Sequence, residues 1–282
     1  MNTNSTYREV LKWASSFLET SGKEGIAAER LLMERQQWNR TDFILHLHDE
    51  MPSDVKRQLL ADVAEHGGGR PIQHILGYEW FYGTRFKVTH NTLIPRPETE
   101  EIVDRFLQQN NKMEHTLKVL DIGTGTGAIA ITIKKERPEY EVTATDLSPK
   151  ALTVAKENAE ANNVSIRFME GDLTEPLQSE KFDVILSNPP YIGEHEKGVM
   201  DQSVLDYEPS MALFAENNGL LIYQRLAKEL PQLLLPNGQI YLEIGYQQGP
   251  SVKELFEQAF PNSHVRIEKD LSGHDRMLFV QT

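Results

Sequence analysis

The chain has 282 residues, no cysteine, 39% apolar and 25% charged residues, and a formal charge of −13 from 29 basic and 42 acidic side chains. These figures exclude a disulfide framework, a cysteine nucleophile and a thiolate metal site, and they leave an ordinary globular protein with length for one large domain or two unequal ones. Residues 1–12 are polar and lack the apolar core of a signal peptide, and no apolar run nears the roughly 18 residues of a membrane span, so a cytoplasmic location without membrane partners is expected.

The charge is uneven. Residues 1–90 carry 11 basic and 12 acidic side chains, whereas residues 91–282 carry 18 and 30. Affinity for a phosphate backbone comes largely from clustered Lys and Arg, so no stable nucleic-acid binding is expected, and a basic protein partner suits the acidic half better.

In chain order, Val10, Leu11, Ala14, Phe17 and Leu18 fall on one helical face, and Ser21 with Glu24 suggests a capping box opening a second helix that holds Ile26, Leu31 and Leu32. A further helix is expected over 53–66, stopped by Gly67, Gly68 and Gly69. Residues 1–77 thus read as a helical bundle, with Trp13 and Trp38 in its core. The cluster His46, His48, Asp49 and Glu50 is poorly spaced for one ion, since helix positions two apart face different ways, and no metal is called for. Aromatic and β-branched residues over 78–89, broken at Gly83-Thr84, suggest a β-hairpin linker over 78–92. The prolines of Ile94-Pro95-Arg96-Pro97-Glu98 make a rigid loop, followed by a helix over 98–109.

Beyond Lys118 strands and helices alternate. Strands are expected over 118–122, 141–145, 165–169, 182–187, 239–244, 265–269 and 277–280, with helices starting near Ala128, Pro149, Gly219 and Pro250. This is an α/β pattern: a doubly wound, mostly parallel seven-stranded sheet over residues 93–282, preceded by the small all-helical domain. The last two strands leave no room for an intervening helix, so the final strand should enter antiparallel.

Gly123, Thr124, Gly125, Thr126 and Gly127 sit where the first strand of this sheet meets its first helix, where the chain must turn sharply and a ligand must approach the backbone. Asp146, 19 residues after Gly127, ends the second strand and is placed to accept ribose hydroxyl hydrogens. An adenosine-containing cofactor is expected. The loop alone also fits nicotinamide or flavin enzymes, since Gly123, Gly125 and Ala128 satisfy G-x-G-x-x-G/A. Asp172, after the third strand, suits the adenine amino group while Leu173 packs on the ring, or else it is a solvated turn aspartate.

The fourth strand runs into Asn188-Pro189-Pro190-Tyr191, a tetrapeptide expected by chance in about one in a thousand chains of this length. In a doubly wound sheet the first and fourth strands are neighbours, so this turn should face the glycine loop. The chemistry that needs it is methylation of a planar nitrogen, whose lone pair is delocalised. If the Asn188 side-chain oxygen and the Pro189 carbonyl each accept one N–H, the nitrogen is oriented and its developing charge stabilised, while Tyr191 stacks on the flat acceptor. The glycine loop and this turn together resemble S-adenosylmethionine-dependent methyltransferases acting on amino or amide nitrogens.

Residues 71–77 (PIQHILG), 93–100 (LIPRPETE) and Tyr207-Glu208-Pro209 further resemble the HemK/PrmC family, the peptide chain release factor glutamine methyltransferases. That resemblance spans nearly the whole chain. It implies methyl transfer from S-adenosyl-L-methionine, leaving S-adenosyl-L-homocysteine, to the N5 nitrogen of the glutamine in the Gly-Gly-Gln tip of class I release factors. It implies that Gly123 to Gly127 and Asp146 bind the cofactor, that Asn188 to Tyr191 bind the glutamine, that the helical domain helps recognise the release factor, and that the loop 94–100 borders the site. Leu173 stands where some members carry an aromatic residue. The alternative is an adenine N6 methyltransferase acting on DNA or RNA with a flipped base, disfavoured by the acidic catalytic half. A nicotinamide oxidoreductase lacks a hydride-site pattern here, and a non-catalytic binding protein has no use for Asn188. Glu98, Glu208 and Glu243 read as ordinary surface or strand-end carboxylates.

Overall fold

A computed structural model of the chain describes residues 5–111, 116–177 and 180–282. Residues 1–4, the start of the polar amino-terminal stretch, lie outside the described residues. The chain forms two compact units, Met1–Tyr78 with Asp201–Tyr207, and Glu79–Met200 with Glu208–Thr282.

The first unit holds helices α1 (Tyr7–Thr20), α2 (Ala27–Gln36), α3 (Arg40–His46), α4 (Ser53–Gly67) and α5 (Ile72–Leu76). Val10, Leu11, Ala14 and Leu18 of α1 meet Leu31 and Leu32 of α2 and Leu59 and Val63 of α4 in one apolar cluster. The capping box lies elsewhere than expected: Thr6 and Glu9 cap α1, whereas α2 starts after Ile26 without a side-chain cap. The reason is that the Ser21 hydroxyl donates to the Phe17 carbonyl at 2.9 Å, so Ser21 closes α1 rather than opening α2. Trp13 is also not core. It sits beside the apolar stripe of α1, 43% exposed, and stacks on Phe17 at 5.4 Å. Trp38 packs against the cluster and stacks on His46, whose Nδ1 pairs with Asp49. A segment far along the chain joins this unit: Asp201 approaches Lys23 at 3.9 Å, and Tyr207 tilts against His74 at 6.4 Å.

In the second unit, β1 (Tyr78–Phe81) and β2 (Thr84–Lys87) are joined by Tyr82 and Gly83, both at positive φ, as a two-residue hairpin turn requires. Phe81 and Phe86 bury into the core beside α6 (Pro97–Gln109) and α7 (Ala128–Glu136). Strands β3 (Lys118–Ile122), β4 (Glu141–Asp146), β5 (Arg167–Glu170), β6 (Phe182–Ser187), β7 (Leu234–Glu243), β8 (His264–Lys269) and β9 (Asp275–Gln281) form one sheet in the order β5-β4-β3-β6-β7-β9-β8. Pairing from β5 through β7 is parallel, and β9 runs antiparallel to both its neighbours, as expected. Strand β7 starts five residues earlier than expected. It runs through Pro236-Asn237-Gly238 with a register irregularity, Leu234 already being paired to Phe182.

Alternation along the strands sorts the core into two faces. Val119, Val184, Leu186 and Tyr241 face α6 and α7, whereas Leu120, Ile185, Ile240 and Leu242 face α10 (Leu221–Glu229) and α11 (Gly249–Ala259). The remaining helices are α8 (Pro149–Ala161), after β4, and the short α9 (Gln202–Tyr207), in the segment that joins the first unit. No helix among the described residues is long and apolar enough to cross a membrane.

Candidate active site

A cavity opens at the carboxyl ends of β3, β4 and β6, where the strand order reverses and where open α/β sheets bind ligands. One wall is the turn from β3 into α7. Gly123 and Gly125 take positive φ, which a Cβ would strain, and the backbone N–H groups of Gly123 and Thr124 donate to the Thr145 carbonyl. Gly127 serves a different purpose. It lies behind the loop, where a Cβ would strike Ile131 and Ala155, and so it permits close packing of α7 on α8.

Asp146 ties this turn to β4. Its Oδ2 accepts the Gly125 N–H at 2.8 Å and its Oδ1 the Ser148 N–H at 2.8 Å. Burial nevertheless raises its pKa above the ordinary carboxylate value, with those two N–H groups opposing the rise. Asp121, at the base of the loop, is fully buried and its pKa is pushed up to about 7 by desolvation, against hydrogen bonds from Thr124 and Ala130. Asn158 of α8 clasps the same region from behind, donating to the carbonyls of Thr126 and Lys87.

The third corner contains Asp172 and Leu173. Asp172 lines the cavity and its Oδ1 pairs with Arg225 at 3.0 Å. Leu173 holds φ 51°, unusual for a residue with a Cβ; it lines the cavity and packs against the apolar cluster beneath the sheet.

Opposite the glycine loop stand Asn188 and Pro190. Strand β6 ends where the Ser187 hydroxyl donates to the Ile122 carbonyl, so Pro189 lies beyond the last paired residue and outside the strand ladder. The cavity thus brings together Gly123, Thr124, Gly125, Thr126, Asp146, Asp172, Leu173, Asn188 and Pro190. Gly127, Pro189 and Tyr191 are not among its lining residues. Tyr191 lines a neighbouring recess with Arg276 and Gln248, and its hydroxyl donates to Glu243 at 3.3 Å.

Two carboxylates read as ordinary surface or strand-end groups are buried and hydrogen-bonded. Glu208, 6% exposed, accepts the Ile94 N–H at 2.9 Å and the Arg96 guanidinium at 2.6 Å, which clips the proline loop down as a cavity wall. Glu243, 1% exposed, accepts the Thr99 hydroxyl at 2.6 Å. Leu93, Leu147, Met211 and Ile222 add apolar side chains to the lining, and Asn91 adds a polar one. Of these, Leu93 opens the 93–100 motif, and the adjacency of Leu147 to Asp146 is the signal that could have found it.

The end of the Asn-Pro-Pro-Tyr turn is held by close backbone approach. Gln248 donates to the Tyr191 carbonyl at 2.9 Å, and Gly219, at φ 81°, packs so tightly that a Cβ would collide with that carbonyl. Gly219→Ala is expected to destabilise the protein by about 2–4 kcal/mol, combining left-handed strain with overpacking. Urea denaturation reads this directly, and an unchanged midpoint would refute it.

Comparison with known proteins gives consistent matches. Residues 9–77 match the PrmC N-terminal domain family, and residues 101–206 match the Methyltransferase small domain family. A release factor glutamine methyltransferase of Enterococcus faecalis is 50% identical over 275 residues, covering 98% of this chain and 99% of that one. One from Staphylococcus aureus is 41% identical over 274 residues, covering 96% and 98%. Among solved structures, a methyltransferase from Pyrococcus furiosus aligns with TM-score 0.52 over 82% of this chain and 98% of that one, at 19% identity, which is a likeness of fold alone.

Proposed function

Because the chain belongs to the release factor glutamine methyltransferase family, we propose that it methylates the N5 side-chain nitrogen of the glutamine in the Gly-Gly-Gln tip of class I peptide chain release factors, with S-adenosylmethionine as methyl donor. The observation that carries this reading is the facing of Asn188 and the glycine loop across one cavity at the ends of adjacent parallel strands.

The cavity suits such a cofactor. A Cβ added at Gly123 or Gly125 would enter open space rather than protein, so the backbone edge is free to approach a ligand. Asp146 has spent one lone pair per oxygen on N–H groups and retains others for two ribose hydroxyls. Leu147, Leu173 and Ile222 offer apolar surface for a purine, and Asp146 carries a carboxylate at the cavity edge whose charge no ion pair among the described residues takes up. When bound, S-adenosylmethionine supplies an electrophilic methyl group on a positively charged sulfur.

The protein's part is to orient and dehydrate the acceptor. Asn188 Oδ1 and the Pro189 carbonyl each take one hydrogen of the glutamine NH2, which directs the nitrogen lone pair at the methyl carbon and stabilises the charge gained as the N–C bond forms and the C–S bond breaks. The methylated nitrogen then loses one proton to water, so no strong base is needed. Tyr191 and the first helical unit are assigned to the release factor itself. Incubation with labelled S-adenosylmethionine and three acceptors tests the reading: a release factor, its Gln-to-Ala variant at the tip, and adenine-containing DNA. Label is expected on the first alone, and label on DNA alone would replace it with the adenine reading.

A further inference from the structure

Asn188 has two chemically opposite ends, and only one of them suits an NH2 acceptor. Its Nδ2 donates to Thr99 Oγ1 at 3.0 Å, and Thr99 Oγ1 donates in turn to Glu243 Oε2 at 2.6 Å. A hydroxyl has a single hydrogen. Because Thr99 gives that hydrogen to Glu243, it faces Asn188 only as an acceptor, and only the NH2 end of Asn188 can meet it. We infer that Glu243, acting through the Thr99 hydroxyl, holds the Asn188 amide with its oxygen toward the acceptor nitrogen, so that Thr99 and Glu243 are positioning residues for amide methylation. This rests on the methyltransferase reading above.

The arrangement is built rather than incidental. Thr99 precedes Ile102, Val103 and Phe106 on the buried face of α6, and it is itself buried. Glu243 ends β7 on the same face as Tyr241, the face toward α6. Its other oxygen accepts the Tyr191 hydroxyl, and the Tyr223 hydroxyl of α10 donates to its backbone carbonyl at 2.8 Å. Removing a charge from water costs several kcal/mol, and these hydrogen bonds offset part of that cost at Glu243.

The polarity of the relay depends on the charge of Glu243. A protonated carboxyl can donate to Thr99, which then turns its own hydrogen toward Asn188 and favours the amide flipped, with its NH2 facing the acceptor. The groups that face Glu243 are Thr99 and Glu98 from α6, Tyr191 beyond β6, Tyr223 from α10 and Arg276 from β9. Desolvation dominates and raises its pKa to about 7, with Glu98 adding to the rise and Thr99, Arg276 and Tyr191 opposing it. The ionised form orients Asn188 correctly, so turnover should rise with pH through that value.

The test compares unaltered enzyme, Thr99→Val, Thr99→Ser and Glu243→Gln on a release factor, with kcat measured from pH 6 to 8. Thr99→Val is expected to lower kcat about 10-fold or more with KM for S-adenosylmethionine unchanged, as loss of acceptor alignment predicts. Thr99→Ser, which keeps the hydroxyl, recovers most of the lost rate. The unaltered enzyme shows an acidic limb with a midpoint near 7, and Glu243→Gln abolishes it. Undiminished kcat in Thr99→Val, or persistence of the limb in Glu243→Gln, would overturn the relay alone. Absence of transfer by the unaltered enzyme would overturn the methyltransferase reading with it.

Discussion

Asn188→Ala is expected to lower methyl transfer to a release factor by about 100-fold or more while S-adenosylmethionine binding stays within about threefold. The asymmetry follows from where Asn188 sits. It closes the cavity opposite the glycine loop, and its amide is braced by Thr99 rather than by any group of that loop. Its truncation removes one preorganised acceptor for the charge that develops on nitrogen, and loss of one such polar group typically costs 10²–10³ in kcat, or about 3–4 kcal/mol of transition-state stabilisation. The Pro189 carbonyl remains, which sets a floor under the loss. Asn188→Asp would keep an acceptor but bring a negative charge beside buried Glu243, so it should not restore full rate. Single-turnover transfer with a purified release factor checks the effect, and turnover equal to the unaltered enzyme would sink the assigned role.

Asp146→Ala should instead act on the cofactor. Asp146 accepts the N–H groups of Gly125 and Ser148, so its removal both deletes the ribose acceptor and releases the turn that shapes the cavity. A hydrogen bond to a charged group contributes about 1.5–3 kcal/mol, so loss of even one should weaken S-adenosylhomocysteine binding about 30-fold. Calorimetry measures this without catalysis, and affinity equal to the unaltered chain would contradict the role. Paired with Asn188→Ala, the result separates the two sides of the cavity: one variant loses binding, the other loses rate.

Much of this was legible in the order of residues because the signals are local. A strand, a glycine-rich turn and a helix follow within some 20 residues of Lys118, and the acidic end of the next strand follows at fixed spacing, so backbone geometry alone brings Asp146 to Gly125. The Asn-Pro-Pro-Tyr turn was legible for the same reason, being a rare run at the end of an apolar strand. Other local signals misled. Ser21 resembles a cap for the following helix, yet its hydroxyl belongs to the preceding one, and the strand expected from residue 239 already begins at Leu234. Trp13 was misplaced because a large apolar side chain one step off a helical stripe faces outward whatever its hydropathy.

The carboxylates were illegible for a stronger reason. Glu208 meets Ile94 across 114 residues and Glu243 meets Thr99 across 144. Whether an acidic side chain is solvated or buried depends on partners that no window of sequence contains, and average behaviour favours the surface. The same holds for Arg225, which claims Asp172 from 53 residues away, and for the segment Asp201–Tyr207, which leaves the second unit to pack with the first.

The sequence by itself therefore determined the alternation of strands and helices, the glycine turn, the acidic strand end and the Asn-Pro-Pro-Tyr turn, because each is encoded by spacing within one or two adjacent elements. Only the tertiary structure decided which carboxylates lose their water, that Tyr191 lines a neighbouring recess rather than the cavity, and which group braces the Asn188 amide. Those depend on a hydroxyl from α6 meeting a carboxylate from β7, and such a pairing exists only once the sheet has brought distant segments together.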